Sequence, residues 1–121
     1  MEKKKKETIS EVECAKKLAA VEDALYVLGG KWKLRIIITL ISGYTRFNEV
    51  QRTVTGISAR VLSSELKSLE INGLVQRVVD TENFPVITQY VPTDYAETLK
   101  NLVSVLGEWG SRHKERISTS V

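Results

Sequence analysis

The sequence has little of what metal centres, disulfide frameworks and membrane spans require. Its 121 residues include one cysteine, one histidine and two prolines. One cysteine excludes an intrachain disulfide framework, and with one histidine it forms no zinc cluster, so we expect no metal and no other cofactor. No apolar run approaches the roughly 20 residues that span a bilayer, and the charged N-terminus lacks the apolar region of a secretory signal. These features predict a cytoplasmic protein with no membrane partner.

The sequence also lacks the residue combinations of common catalytic sites, which argues against an enzyme. Ser58, Ser63 and Ser64 have no histidine base within reach in the sequence, and there is no glycine-rich phosphate loop. Glu65 and Glu70 are interpreted as solvated helix positions. The sequence therefore predicts a binding protein rather than a catalyst.

Positive charge is concentrated in the middle of the chain. The formal net charge is +3 overall, but residues 31–60 hold six basic side chains against one acid, Glu49, which gives this segment a net charge of +5. Such a basic segment favours binding to nucleic acid, because lysine and arginine neutralise phosphates.

The spacing of apolar residues predicts four helices before residue 75. The first begins near residue 11 and carries a heptad-like seam of Cys14, Leu18, Val21, Leu25 and Leu28. The next three are separated by short breaks, which is typical of a helix-turn-helix. Their expected inner faces comprise Trp32, Ile36, Ile37 and Leu40 in residues 31–41, then Phe47, Val50 and Val54, then Val61, Leu62, Leu66 and Leu69 after an N-cap at Ser58.

After Asn72 and Gly73, which end the fourth helix, the pattern changes to that of strands. Residues 74–80 and 86–91 are rich in β-branched side chains and flank a turn at residues 81–85, which predicts a β-wing. Thr93 and Asp94 are expected to cap a long final helix. Its apolar stripe consists of Leu99, Leu102, Val103, Leu106, Trp109, His113 and Ile117.

The predicted fold class is therefore mainly α with a small β-wing: a winged helix-turn-helix. Residues 10–118 form this domain, preceded by a charged, disordered arm at residues 1–9. The N- and C-terminal helices expose more apolar surface than the small core can cover, so they are expected to form a homodimer interface. Its predicted residues are Leu18, Val21, Leu25, Leu99, Leu102, Val103, Leu106 and Trp109.

Several motifs together resemble the HxlR-type winged-helix regulators of bacteria, a branch close to the MarR regulators. The resemblance covers roughly residues 12–113. It is carried by Cys14 and by the motifs Gly29-Gly30-Lys31-Trp32, Arg46-Phe47-Asn48-Glu49, Gly56-Ile57-Ser58, Leu62-x-x-x-Leu66-x-x-Leu69-Glu70 and Tyr90-x-x-Thr93. It implies a homodimer that binds double-stranded DNA and regulates a nearby gene. It also implies that some members sense electrophiles or oxidants through the N-terminal cysteine.

Two groups of residues are predicted to contact DNA. One group is expected to bind the phosphate backbone: Lys31, Lys33 and Arg35 at the start of the second helix, and Arg46, Asn48 and Arg52, which flank the fourth helix. The other lies on the outer face of the fourth helix, where small and basic side chains allow entry into the major groove. These residues are Ser58, Ala59, Arg60, Ser63, Ser64 and Lys67.

Two alternatives stay open in the sequence. Cys14 is either a small hydrophobe in the first seam or a reactive thiol, because a helix start and the neighbouring Lys16 and Lys17 favour the thiolate. With no second cysteine, oxidation would end in a mixed disulfide or a link to the partner subunit. The protein as a whole is either the DNA-binding regulator described above or a winged-helix dimer that serves as a protein assembly module.

Overall fold

The computed structural model describes residues 10–119, so the predicted arm at residues 1–9 lies outside the described residues. Within them the chain forms five α-helices, one two-stranded sheet and one 3-10 segment. The elements in order are α1 (Glu11–Leu28), α2 (Lys33–Ile41), α3 (Phe47–Thr53), α4 (Ala59–Ile71), β1 (Val75–Asp80), β2 (Ile87–Pro92), the 3-10 segment (Asp94–Leu99) and α5 (Lys100–Thr119). The predicted class, mainly helical with a two-stranded wing, is confirmed.

The chain divides into two compact units, one ending at Gly30 and one starting at Lys31. In the first unit, the Ser10 hydroxyl accepts a hydrogen bond from the Glu13 N–H at 3.1 Å and caps α1. Acidic residues in the first turn favour the helix because they complement its dipole. The seam residues Leu18, Val21 and Leu25 are 55 to 61% exposed, so the predicted seam is an open apolar surface in the single chain.

In the second unit, α2, α3 and α4 surround one apolar core. Its buried members come from all three helices and from the residue that ends α3: Ile36, Ile37 and Leu40, then Val50 and the C-cap Val54, then Leu62, Leu66 and Leu69. The turn between α3 and α4 is fixed by Gly56, whose φ of +90° favours glycine, and by Ser58, whose hydroxyl accepts from the Val61 N–H at 3.1 Å. This is the predicted helix-turn-helix with α4 as its second helix.

The wing is an antiparallel hairpin whose register runs from Val75 opposite Pro92 to Asp80 opposite Ile87. Because an isolated hairpin is marginally stable, its attachment to the helices matters. The Tyr90 N–H donates to the Thr45 carbonyl at 2.8 Å, and Arg46 forms a β-bridge with Gln89. The chain just before α3 therefore pairs with β2, a contact that sequence analysis did not predict.

The C-terminal helix starts differently from the prediction. Thr93 is the expected cap, since its hydroxyl accepts from the Ala96 N–H at 3.3 Å, but the residues that follow form the 3-10 segment before α5 begins at Lys100. Tight packing explains this start, because Ala96 is almost completely buried. Along α5, Leu102, Leu106, Trp109 and Ile117 are exposed.

The predicted burial of three side chains is wrong. Trp32 is half-buried rather than in the core, because α2 begins at Lys33 instead of residue 31 and Trp32 occupies the cap position before its first turn. Phe47 is also half-buried, with its ring 6.4 Å from that of Tyr90. Glu65, expected to be solvated, is half-buried in an ion pair. Among residues 10–119, no helix is long and apolar enough to cross a membrane.

Candidate nucleic-acid interface

The two faces of α4 differ sharply in polarity. Leu62, Leu66 and Leu69 anchor the inner face in the core. The predicted DNA-contacting residues lie on the outer face or at the N-terminus and are all exposed: Ser58, Ala59, Arg60, Ser63, Ser64 and Lys67. Short side chains on such a face let a helix approach the floor of a major groove, and Arg60 can donate two hydrogen bonds to a guanine edge.

At the start of α2, two exposed cations lie against one aromatic ring. The Lys31 Nζ atom is 4.8 Å from the centroid of the Trp32 ring, and the Arg35 guanidinium carbon is 5.0 Å from it. Both distances fall within the range of a cation–π contact. Both cations are exposed and their contact with phosphate stays a prediction, but their contact with the Trp32 ring was missed.

Lys33 is in a different environment from its neighbours. Its Nζ atom is 2.6 Å from the Glu65 Oε1 atom, and the side chains are only 17% and 22% exposed. This ion pair ties α2 to α4. The Lys33 ammonium group already has an anionic partner here, so this lysine contributes less to the exposed positive potential than the sequence suggests, and its contact with DNA stays a prediction.

Arg46, Asn48 and Arg52 line an open groove of about 460 Å³ between α3 and the start of β2. The Glu49 carboxylate at this groove accepts a hydrogen bond from the Arg46 backbone N–H at 3.1 Å, which caps α3. The guanidinium groups of Arg46 and Arg52 supply two positive charges to the groove against the one negative charge of Glu49. A phosphodiester matches this groove, because arginine binds phosphate in a bidentate manner.

The tip of the wing has the opposite charge. Residues 78–93 contain Asp80 and Glu82 and no lysine or arginine. The Asp80 carboxylate accepts hydrogen bonds from the Glu82 N–H at 3.0 Å and the Asn83 side-chain amide at 2.6 Å, and Phe84 is 98% exposed beside them. Acidic side chains at the tip repel phosphates, so the positive face of this unit lies on the helices.

Cys14 lies in the first turn of α1, where its backbone N–H donates to the Ser10 carbonyl at 2.8 Å. Its side chain is exposed and unpaired with any other cysteine. Glu11 and Glu13 share this turn, so the lysines at positions 16 and 17 do not set the local potential alone. Exposure permits the thiol to react with a small molecule.

The described structure therefore exposes eleven of the twelve predicted DNA-contacting residues, and half-buries Lys33. Two features were missed. The ring of Trp32 was assigned to the core, although its position among Lys31, Lys33 and Arg35 is the aromatic–cation pattern that could have indicated it. The second missed feature is the hydrogen bond from Tyr90 to Thr45, which no local sequence pattern indicates.

Comparison with known proteins identifies the family. The model of the HxlR-like helix-turn-helix matches residues 27–118, most of the chain. The chain belongs to the HxlR family. Relatives include the HTH-type transcriptional regulator YdeP of Bacillus subtilis, 35% identical over 97 residues that cover 80% of this chain and 75% of YdeP. Another is the HTH-type transcriptional regulator BH0655 of Halalkalibacterium halodurans, 40% identical over 91 residues covering 74% of this chain and 80% of BH0655.

Solved structures of HxlR and MarR type share the fold. The reduced form of the redox regulator HypR superposes with a TM-score of 0.75 at 35% identity, covering 83% of this chain and 98% of HypR. The reduced form of the transcriptional regulator YodB from B. subtilis superposes with a TM-score of 0.68 at 32% identity, covering 77% of this chain and 90% of YodB. This chain is accordingly a transcriptional regulator of the HxlR type.

Proposed function

We propose that this regulator binds a specific sequence of double-stranded DNA as a homodimer, with α4 of each subunit in the major groove. The observation that carries the proposal is the outer face of α4, where Arg60, Ser63 and Ser64 are exposed while leucines on the inner face fix the helix in the core. Arginine and serine at such positions read base edges. The cations of α2 and α3 supply contacts to the phosphates on either side.

The exposed apolar surfaces of α1 and α5 support the homodimer. Each helix presents a seam that is open to solvent in the single chain, and burial against a second copy removes this surface from water. On α5, a Cβ atom added at Gly107 or Gly110 meets no atom of the chain within 4 Å, which leaves space for a partner helix to approach closely. In such a dimer we expect the two α4 helices to lie about 34 Å apart, so that they read an inverted repeat.

The phosphate contacts predict a steep dependence of DNA affinity on salt. With about six phosphates neutralised, the logarithm of the binding constant should fall against the logarithm of KCl concentration with a slope of about −5. Fluorescence anisotropy of a labelled duplex at increasing KCl concentration measures this slope. Weak, sequence-independent binding with a slope near zero would contradict the proposal and favour the protein assembly module instead.

We also propose that Cys14 makes DNA binding sensitive to electrophiles. The structural neighbours include diamide-treated and quinone-bound forms of YodB, and Cys14 is an exposed thiol on the helix that carries the α1 seam. Its thiolate would add to a quinone carbon to form a thioether, while the thiol proton goes to the quinone oxygen and yields the hydroquinone. An adduct there alters how two α1 helices meet in a dimer and thereby the separation of the α4 helices.

Quinone treatment should therefore change the affinity of the wild type for its DNA site by about 5- to 150-fold, the range that a coupling of about 1–3 kcal/mol produces. Cys14→Ser, the matched variant, should bind DNA like the untreated wild type and show no response. Affinity is measured for both proteins with and without a quinone, and mass spectrometry verifies the adduct. An equal response of both proteins, or none in a fully modified wild type, would show that Cys14 is only a surface residue of α1.

A further inference from the structure

The environment of Trp32 differs from the core position that the sequence pattern predicts. It occupies the cap position of α2, is half-buried, and has two cationic groups within 5.0 Å of its ring centroid. Both cations thus contact one ring at the N-terminus of α2, where positive side chains oppose the helix dipole. A phosphate bound at this helix end would offset that electrostatic cost.

The Trp32 ring also reaches the helix-turn-helix. A Cβ atom built on Gly56 lies 3.9 Å from the Cη2 atom of Trp32, so the edge of the indole reaches the turn between α3 and α4. Ser58, two residues beyond, caps α4 by accepting from the Val61 N–H, and the N–H groups of Ala59 and Arg60 have no partner within that 13-residue helix. The ring that both cations contact thus reaches the turn before α4, and a helix N-terminus favours a phosphate.

We propose that Trp32 is a positioning residue that holds Lys31 and Arg35 as a clamp for one phosphodiester of the DNA backbone. This inference rests on the proposed function. The aromatic face limits the rotamers of both long side chains before DNA arrives, so less conformational entropy is lost when they meet the phosphate. The negative charge of the phosphate then removes the repulsion between the two cations.

The test is a set of variants measured by DNA affinity and by its dependence on KCl. Trp32→Leu removes the aromatic face but leaves both cations in the sequence. It should lower affinity about five- to twentyfold and make the salt slope shallower by about 1 to 2, as expected for lost phosphate contacts. Trp32→Phe, which retains an aromatic face, should stay within about threefold of the wild type.

The decisive comparison is made in the Lys31→Ala/Arg35→Ala background. If Trp32 acts through the two cations, adding Trp32→Leu there should lower affinity by less than about twofold. An equal effect in both backgrounds overturns the clamp and assigns Trp32 a purely structural role. A wild type that binds no duplex at all contradicts the proposed function itself, so the two failures are distinguishable.

A measurement on the unaltered protein covers the case in which Trp32→Leu does not fold. Ring currents of Trp32 should shift the side-chain proton resonances of Lys31 and Arg35 upfield in the free protein, and a duplex should perturb these resonances together. Unshifted resonances in the free protein, or resonances that a bound duplex leaves unchanged, overturn the clamp.

Discussion

Replacing Leu106 by aspartate should convert the proposed dimer to a monomer and abolish binding to the full DNA site. Leu106 is 47% exposed in the single chain and lies on α5 between Leu102 and Trp109, which are exposed as well. Because aspartate at this position is solvated in the monomer, the fold itself should be retained. In the dimer the same carboxylate would be removed from water without a partner, which disfavours association by several kcal/mol.

The matched control is Ser104→Asp. It adds the same charge to the same helix, but because Ser104 is two residues before Leu106, at about 100° per residue, it lies on the opposite side of α5. Analytical ultracentrifugation reports the oligomeric state, circular dichroism reports the fold, and anisotropy reports DNA binding for both variants. We expect Leu106→Asp to be a folded monomer and Ser104→Asp to be a dimer that binds DNA. A Leu106→Asp monomer that binds the full site as tightly as the wild type would refute the link between dimer and DNA.

Arg60→Ala should weaken binding to the preferred site by about 1–3 kcal/mol and relax its sequence preference. Arg60 is exposed at the second position of α4, where it can donate two hydrogen bonds to a guanine. Lys31→Ala is the matched comparison, since Lys31 is an exposed cation of the same unit that is expected to contact backbone only. Its loss should weaken binding to preferred and random duplexes by similar factors.

Anisotropy titrations with one preferred and one scrambled duplex separate the two variants. The account predicts that the ratio of the two affinities falls for Arg60→Ala and is unchanged for Lys31→Ala. If Arg60→Ala weakens both duplexes equally, Arg60 contacts phosphate and the base-reading residues lie elsewhere on α4.

The sequence predicted the helices and the wing well because their signals are local. Ser58 and Gly73 mark the ends of α4 by capping and by a positive φ of 78° at Gly73, and period-3.6 leucines fix its inner face. The β-branched residues of segments 74–80 and 86–91 and the turn between them are likewise recognised within a few positions, and the strands begin one residue later than predicted, at Val75 and Ile87. Such features can be predicted without knowing which helices and strands contact one another.

The features that sequence analysis missed depend on contacts between distant elements. Lys33 and Glu65 are 32 positions apart, and each alone reads as a solvated charge; only the crossing of α2 and α4 joins them. Thr45 and Tyr90 pair because the wing folds back on the start of α3. Trp32 was assigned to the core because it continues the apolar spacing of α2, but the helix begins at Lys33, two residues later than predicted, and the Trp32 ring lies near Gly56.

Selection of bound sequences from a random pool of duplex DNA is the most direct test of sequence-specific binding as a symmetric dimer. It reports the sequence preference, the symmetry of the site and the spacing of its half-sites together. The account predicts enrichment of an inverted repeat whose half-sites are centred about 10 base pairs apart, one helical turn, as two α4 helices in successive major grooves require. The wild type should enrich it, and Leu106→Asp should not. Enrichment of no sequence, or of a single site without two-fold symmetry, would contradict the account.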